Sequence, residues 1–333
     1  MIIPQSILII RLKSIGDVVL TLPAVHALRE HFPASSITFL TSKENVPLLR
    51  GFRDVNEVIA LDRAALRGGN PLKIVREISG LLRRLRAGRF DLVVDLQSYG
   101  ETAWLTRLTG AAERWGTTYS TGRKWAYTRS LPRNHNIHAA ADHLELLRHG
   151  GLSTDQIQNQ FLLPADALAG ARNFFAEQNL DPARPTLFIQ PFTGMTHKNW
   201  PLDNYLAVAR HWRERGVQII LGGGPGDGAV LDPARREGFV VSAGVPLLVT
   251  GGLLQLSTLV LGGDTGALHL AVAEGRRVLM LMHHVTPGSP VPFQHPDWVL
   301  VAPRPVAIAD ISVADVNSAI APMFSGPGGN AAC

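Results

Sequence analysis

The sequence predicts an α/β protein of two Rossmann-like domains facing a central cleft, and three observations carry that reading. The chain has 333 residues, room for about two domains at roughly 150 residues each. Short β-branched or aliphatic runs alternate with longer helical patterns, the signature of βα units on a parallel sheet. Three of those runs end in ligand-ready turns, which is where open α/β sheets bind small molecules.

In the first half the expected strands are Ser6 to Leu12, Ile37 to Leu40, Val58 to Leu61 and Phe90 to Leu96. Helices are expected at Val18 to His31, with a kink at Pro23, and at Leu72 to Arg86. The second helix places Leu72, Val75, Ile78, Leu82 and Leu85 at helical spacing, as a core-facing stripe requires. From about Gly150 the pattern loosens into a polar stretch, a helix near Ala165 to Gln178 and the breaker Asp181-Pro182-Ala183-Arg184-Pro185. A second series follows, with strands at Thr186 to Gln190, Val217 to Leu221, Phe239 to Ser242, Leu259 to Gly262 and Arg277 to Met282. Its helices are Leu202 to Arg215, Ala267 to Glu274 and a last one at Val313 to Met323. The division expected is a domain over 1–160, a linker region over 161–185 and a second domain over 186–310. A C-terminal helix within 311–324 is expected to pack back on the first domain, and 325–333 to be a disordered tail.

With 46% hydrophobic and 18% charged residues, disorder and fibrous repeats are excluded. A net charge of +5 points to something anionic, but it is small for a whole-surface nucleic-acid binder, so no nucleic-acid partner is expected. The one cysteine is Cys333, which excludes an internal disulfide, a Cys-based zinc site and a buried nucleophilic thiol, and fits a reducing compartment. The apolar run Ser6 to Ile10 meets Arg11 and Lys13 on its C-terminal side, the reverse of a signal peptide, and reads as a first strand. The uncharged stretch Phe239 to Gly263 is long enough to span a bilayer, yet Pro246, two Gly pairs and scattered polar residues make it a buried strand, helix and strand.

Four turns carry chemistry. The first, Arg11 to Asp17, brings Gly16 and Asp17 to a helix start, where backbone N–H groups favour a carboxylate suited to general-base work. Asp17 reads equally well as the cap of that helix. The second, Gln190 to Pro201, offers small and hydroxyl residues and Lys198 to a phosphate, or else is a solvated loop beside a packed Trp200. The third, Leu261 to His269, would present Thr265 and Gly266 N–H groups to a pyrophosphate, with His269 one turn on as a ligand contact or a core histidine. The fourth matches the dinucleotide pattern G-x-G-x-x-A at Gly224, Gly226 and Ala229. A dehydrogenase would then need an acidic residue about 20 positions later, and Gly244 to Gly263 contains none. His283, His284 and His295 lack a carboxylate partner at ligand spacing, so no metal site is expected. Arg123, Lys124, Arg129 and Arg133, interleaved with Trp125 and Tyr127, suit an anionic acceptor or a solvated loop.

The stretch Arg11-Leu12-Lys13-Ser14-Ile15-Gly16-Asp17-Val18-Val19-Leu20-Thr21-Leu22-Pro23, then Lys198-Asn199-Trp200-Pro201, then Asp264-Thr265-Gly266-Ala267-Leu268-His269-Leu270-Ala271 resemble the bacterial ADP-heptose:lipopolysaccharide heptosyltransferases, family nine of the glycosyltransferases. The likeness runs in order from about Ile7 to about Val301 and includes Phe90 to Gln97. It implies a GT-B fold, with the acceptor on the N-terminal half and the nucleotide sugar on the C-terminal half. It implies inverting transfer of heptose from ADP-heptose to the inner core of lipopolysaccharide, with no cofactor beyond the donor and no bound metal doing the chemistry. By position, Asp17 would be the base; Thr193, Gly194 and Lys198, with Thr265 and Gly266, would hold the diphosphate; and Asp264 and His269 would lie close to the sugar and phosphates. Asp227 would take the adenosine ribose and Met282 would line the nucleoside site, while Lys13, Ser14, Gly16 and Arg123 would meet the acceptor. A lipid-anchored anionic saccharide as acceptor implies a cytoplasmic enzyme in transient contact with the inner face of the inner membrane. The alternatives are a GT-B enzyme using another nucleotide sugar, including a sugar-nucleotide epimerase, and a non-catalytic nucleotide-binding module. The chain departs from the family pattern where His283-His284 stands in place of the usual Phe-Gly or Tyr-Gly, and where Gly194 replaces an often-found hydroxyl residue. Gly251 and Gly252 occupy a helix where better helix formers are usual.

Overall fold

The computed structural model describes residues 3–119, 121–303 and 307–324. It divides into two compact units, 1–160 and 161–333. The first runs β1 (Ser6–Ile10), α1 (Ile15–Val19), α2 (Leu22–His31), β2 (Ser36–Ser42), β3 (Glu57–Leu61), α3 (Arg63–Arg67), α4 (Pro71–Ala87), β4 (Leu92–Asp95), α5 (Gly100–Leu108), β5 (Glu113–Thr118), β6 (Arg129–Pro132) and α6 (Ala139–His149). The second runs α7 (Ala165–Glu177), β7 (Thr186–Gln190), α8 (Leu202–Arg213), β8 (Gln218–Gly223), α9 (Asp232–Arg236), β9 (Val240–Ala243), α10 (Leu247–Leu256), β10 (Leu259–Gly263), α11 (Gly266–Ala273), β11 (Val278–Met282), β12 (Val299–Val301) and α12 (Val313–Phe324).

Each unit holds one six-stranded, all-parallel sheet, ordered β3-β2-β1-β4-β5-β6 in the first and β12-β11-β10-β7-β8-β9 in the second. Both are the doubly wound Rossmann order, in which winding reverses between two central strands. Central strands read as unbroken aliphatic runs because helices cover both faces. Accordingly Ile7 to Ile10 of β1 and Val278 to Met282 of β11 are buried throughout.

The first helix is divided rather than kinked. Pro23 falls in the first turn of α2, where its missing N–H costs nothing, and the preceding turn closes as α1 through Leu20 N–H to the Gly16 carbonyl at 2.9 Å. Helix α4 opens on Asn70, whose Oδ1 accepts from the Leu72 and Lys73 N–H groups, followed by Pro71. Its expected core stripe is corrected: Leu81 and Leu85 enter the core, while Leu72, Val75 and Ile78 are exposed. A seventeen-residue helix is about 25 Å long, whereas the five-residue strands beside it span about 17 Å, so its N-terminal turns overhang the sheet.

Two boundaries are also corrected. The expected linker region, 161–185, belongs to the second unit: the helix expected within it is α7, which packs along α10. Close approach explains the glycines of α10: a Cβ on Gly252 would lie 2.5 Å from the Ala171 Cβ, and one on Gly251 would lie 3.1 Å from the Leu163 side chain. Nor does the last helix return to the first unit. Val316 and Ile320 of α12 are buried in the second unit's core, and the Trp200 and Trp212 indoles donate to the Ile311 carbonyl and the Asn317 side chain at 2.9 and 3.1 Å. Polar anchors before the helix and near its middle hold it there. The expected tail over 325–333 lies outside the described residues. The uncharged stretch from Phe239 to Gly263 forms β9, α10 and β10, and no helix of the described residues is long and apolar enough to cross a membrane.

The two helical glycines at 252 and 80 predict opposite responses to alanine. Gly252→Ala forces α7 and α10 apart and is expected to destabilise the protein by about 1–3 kcal/mol. Gly80→Ala in α4 meets nothing within 4 Å and is expected to stabilise by about 0.5–1 kcal/mol. Urea unfolding of both variants checks the pair of signs.

Candidate active site

In the first unit the reversal falls between β1 and β4, and the residues after both strands converge there. Asp17 sits in α1 three residues after Ser14, whose N–H and hydroxyl donate to Asp17 Oδ2 at 2.9 and 3.1 Å. The Arg11 guanidinium, itself buried, lies 2.7 Å from Asp17 Oδ1 and also donates to the Leu96 and Lys13 carbonyls. Three of the roughly four acceptor positions of the carboxylate are thus used, and the side chain remains 40% exposed. Asp17 therefore caps its own turn and still offers one oxygen lone pair to a ligand.

Residues that sequence reasoning did not single out build the floor beneath it. Gln97 Oε1 accepts from the Leu12 and Lys13 N–H groups at 3.2 and 3.4 Å, tying the end of β4 to the end of β1. Asp95 is fully buried and accepts from the Gln97 and Ser98 N–H groups and the Tyr127 hydroxyl. Burial raises its carboxyl above the usual range in spite of those bonds. Among the expected acceptor contacts, Ser14 is exposed, Lys13 lies over the Tyr99 ring at 5.4 Å, and Arg123 donates to the Ser98 carbonyl at 3.4 Å. Gly16 is buried inside α1 and shapes the turn rather than its surface. Asp95 carried one legible signal, an acid at the end of an aliphatic run.

In the second unit the reversal falls between β7 and β10. Gly262 and Gly263 let β10 run tight against the loop after β7, since a Cβ on Gly263 would lie 2.7 Å from Thr193 Cγ2 and 3.3 Å from the Lys198 carbonyl. That closeness brings Lys198 Nζ to 2.9 Å from Asp264 Oδ2, while His269 Nε2 lies 3.2 Å from Asp264 Oδ1. Burial alone would raise the Asp264 carboxyl, but the hydrogen bonds and charge of His269 and Lys198 bring it below its ordinary value. Thr265 caps α11, its Oγ1 accepting from the Leu268 N–H, which leaves the N–H groups of the first turn directed outward beside Asp264. Thr193 is held by its N–H to Asn199 Oδ1 at 2.8 Å, and Gly194 stands in open space.

A cavity of about 300 Å³ opens here, walled by Lys198, Asp264, Met282, His197, His283 and His284 among others. That volume is at the lower end of the usual small-molecule range of about 300–1,000 Å³. Desolvation, reinforced by His284, His197 and Lys198, holds the His283 imidazole below its ordinary value. His295 lies flat on Trp298 with ring centroids 3.7 Å apart, stacked there rather than lining the cavity. Asp227 also stands outside the cavity wall: its carboxylate accepts from the Gly224 N–H at 2.7 Å and closes the turn after β8. Since α9 begins only at Asp232, the glycines at 224 and 226 do not open onto a helix, which a dinucleotide fingerprint requires.

Residues 78–306 match the family described as Glycosyltransferase family 9 (heptosyltransferase). Lipopolysaccharide heptosyltransferase 3 of Escherichia coli K12 is 24% identical over 80% of this chain and 79% of its own length. Among solved structures, a glycosyl transferase of family 9 from Veillonella parvula superposes with a TM-score of 0.86 at 19% identity, covering 96% of this chain and 97% of that one. The E. coli heptosyltransferase WaaC with ADP gives a TM-score of 0.77 at 21% identity, covering 96% and 99%. The two-sheet α/β fold of this chain is the fold of those enzymes.

The lowered Asp264 carboxyl sets a sign for acid stability. A carboxyl depressed in the folded state contributes stability that is fully present above its unfolded value, about 3.9, and is lost as pH falls through the lower folded value. Asp264→Asn is therefore expected to flatten the stability profile below about pH 4. Urea midpoints measured between pH 2 and pH 6 for both proteins check it.

Proposed function

The chain belongs to glycosyltransferase family 9, and from that premise we propose that it transfers heptose from ADP-heptose to the inner core of lipopolysaccharide with inversion at the anomeric carbon. The observation that carries the donor half is the Lys198–Asp264–His269 constellation, of which Lys198 and Asp264 line the cavity at the ends of β7, β10 and β11. A nucleoside diphosphate fits that arrangement chemically. The Lys198 ammonium and the N–H groups opening α11 offer positive charge to the departing diphosphate, with Thr193 and Gly194 alongside. Asp264, fixed by two partners, orients Lys198 and His269 and keeps its remaining lone pairs for sugar hydroxyls. The apolar Met282 and the His283 ring offer a nucleobase a surface to lie against. Asp227 reaches a ribose hydroxyl by exchanging its bond to the Gly224 N–H.

Asp17 supplies the other half. Its free lone pair takes the proton of the acceptor hydroxyl as the new oxygen–carbon bond forms, and the bond from the anomeric carbon to the diphosphate breaks with both electrons leaving on ADP. Arg11 and Ser14 hold the carboxylate at one rotamer through that step. Lys13 and Arg123 offer charge to an anionic saccharide. Work at the cytoplasmic face of the inner membrane follows from an acceptor that is anchored in lipid.

The reaction is tested by incubating the protein with ADP-heptose and inner-core acceptor, following ADP release and the acceptor's gain of one heptose by mass. Asp17→Asn is expected to lower kcat about 10²–10⁴-fold with little change in the KM for donor, as loss of a general base does. Lys198→Met is expected to raise donor KM and lower kcat together. A product with the donor's anomeric configuration retained, read by proton NMR, would refute the inverting mechanism.

A further inference from the structure

Helix α4 carries an apolar face that the core does not use. Leu72, Val75 and Ile78 are 82%, 63% and 44% exposed, and Leu82 beside them is half-buried. At about 100° per residue, Ile78, Leu82 and Val75 fall within about 60° of one another, with Leu72 about 60° further round. This face continues the stripe that buries Leu81 and Leu85, so α4 is apolar well beyond the part that packs.

The charge around that face is one-signed. Residues 63–90 contain eight basic residues and a single acid, Glu77, a net of +7 against +5 for the whole chain; the other 305 residues therefore carry a net of −2. Glu77 is engaged, accepting from the Asp62 N–H at 3.1 Å. Lys73, Arg76, Arg83 and Arg86 are exposed and form no ion pair among the described residues. Two of them, Arg76 and Arg83, lie about 100° round the helix from Val75 and Leu82, beyond Leu72, on the rim of the apolar face.

We propose that α4 is an interfacial docking helix for an anionic lipid bilayer, with Leu72, Val75 and Ile78 entering the boundary of the acyl region and the flanking Lys and Arg side chains meeting lipid phosphates. An apolar stripe rimmed by clustered basic residues is the pattern that lies in, rather than across, a membrane surface. A second copy of the chain is disfavoured as the occupant, because a two-fold pairing through this face would set one +7 segment against another. The choice of a bilayer rests on the lipid-anchored acceptor of the function proposed above and adds the element that makes the contact.

The test is flotation of the full-length protein with vesicles of phosphatidylcholine alone and of phosphatidylcholine mixed with phosphatidylglycerol. Binding is expected only to the anionic vesicles, falling as salt is raised. Leu72→Ser/Val75→Ser/Ile78→Ser is expected to reduce partitioning at least tenfold with charge unchanged, and Arg76→Gln/Arg83→Gln to reduce it about 30-fold, at about tenfold per 1.4 kcal/mol and about 1 kcal/mol per charge. Both variants are expected to keep wild-type transfer to a delipidated inner-core oligosaccharide and to lose transfer to vesicle-embedded acceptor. Wild-type protein indifferent to anionic vesicles, or a triple serine variant that floats as wild type does, overturns the proposal. So does a wild-type dimer that the serine variant converts to monomer in sedimentation, which would make the occupant a second copy. Intact flotation with no transfer to any acceptor would refute the proposed function and leave the docking helix standing.

Discussion

Winding reversal at the central pair of each parallel sheet is the constraint from which the rest follows. Where neighbouring strands send their connections to opposite faces, no helix covers the strand ends, and backbone N–H groups and short turns are left facing an open crevice. In the first unit those ends are β1 and β4, and in the second β7 and β10. Every ion pair that matters to the chemistry argued above hangs on these four strand ends: Arg11 with Asp17 after β1, and Lys198 with Asp264 across the ends of β7 and β10. Gln97 and Asp95 stitch the corresponding end of β4.

The two sites solve the same electrostatic problem differently. Asp17 lies on a short capped turn, 40% exposed, with a buried arginine on one oxygen. Asp264 is more enclosed, its side chain 15% exposed, and stays charged because Lys198 and His269 offset the cost of burial. In the proposed reaction an acceptor hydroxyl needs a carboxylate it can reach, and a diphosphate needs a cation already held in place. The arrangement at Asp264 preorganises Lys198 before any anion arrives, which is how electrostatic stabilisation acts without reorganisation. Gly263 makes that possible, since a side chain there would push the Lys198 loop away from β10.

Much of this was legible in the chain because central parallel strands and their exit turns are the most stereotyped parts of such a fold. β1, β7, β10 and β11 each carry an unbroken apolar run of three to five residues, and Asp17, Lys198 and Asp264 follow β1, β7 and β10 within eight residues. The outer strands β5, β6 and β12 were harder. β5 reads Glu-Arg-Trp-Gly-Thr-Thr, β6 contains Pro132, and β12 has three residues, so none shows a strand period. Helix α4 misled in a different way: its periodicity is genuine, but amphipathicity gives a face without saying what covers it. Gly251 and Gly252 looked like weak helix formers, and only three-dimensional packing shows α7 pressed against Gly252 and Leu163 and Glu274 against Gly251. Asp227 sits where the family resemblance puts the ribose contact, yet a turn bond to Gly224 occupies its carboxylate, and no one-dimensional pattern shows a hydrogen bond already made.

The central claim is that the cavity at the ends of β7 and β10 receives a nucleoside diphosphate through Lys198. Calorimetric titration of the protein and of Lys198→Met with ADP, UDP, GDP and NAD tests it most directly. The account predicts one site per chain selective for ADP, weakened at least tenfold by the substitution, with NAD not bound. Equal affinity of wild type and variant for ADP would place the nucleotide elsewhere and contradict it.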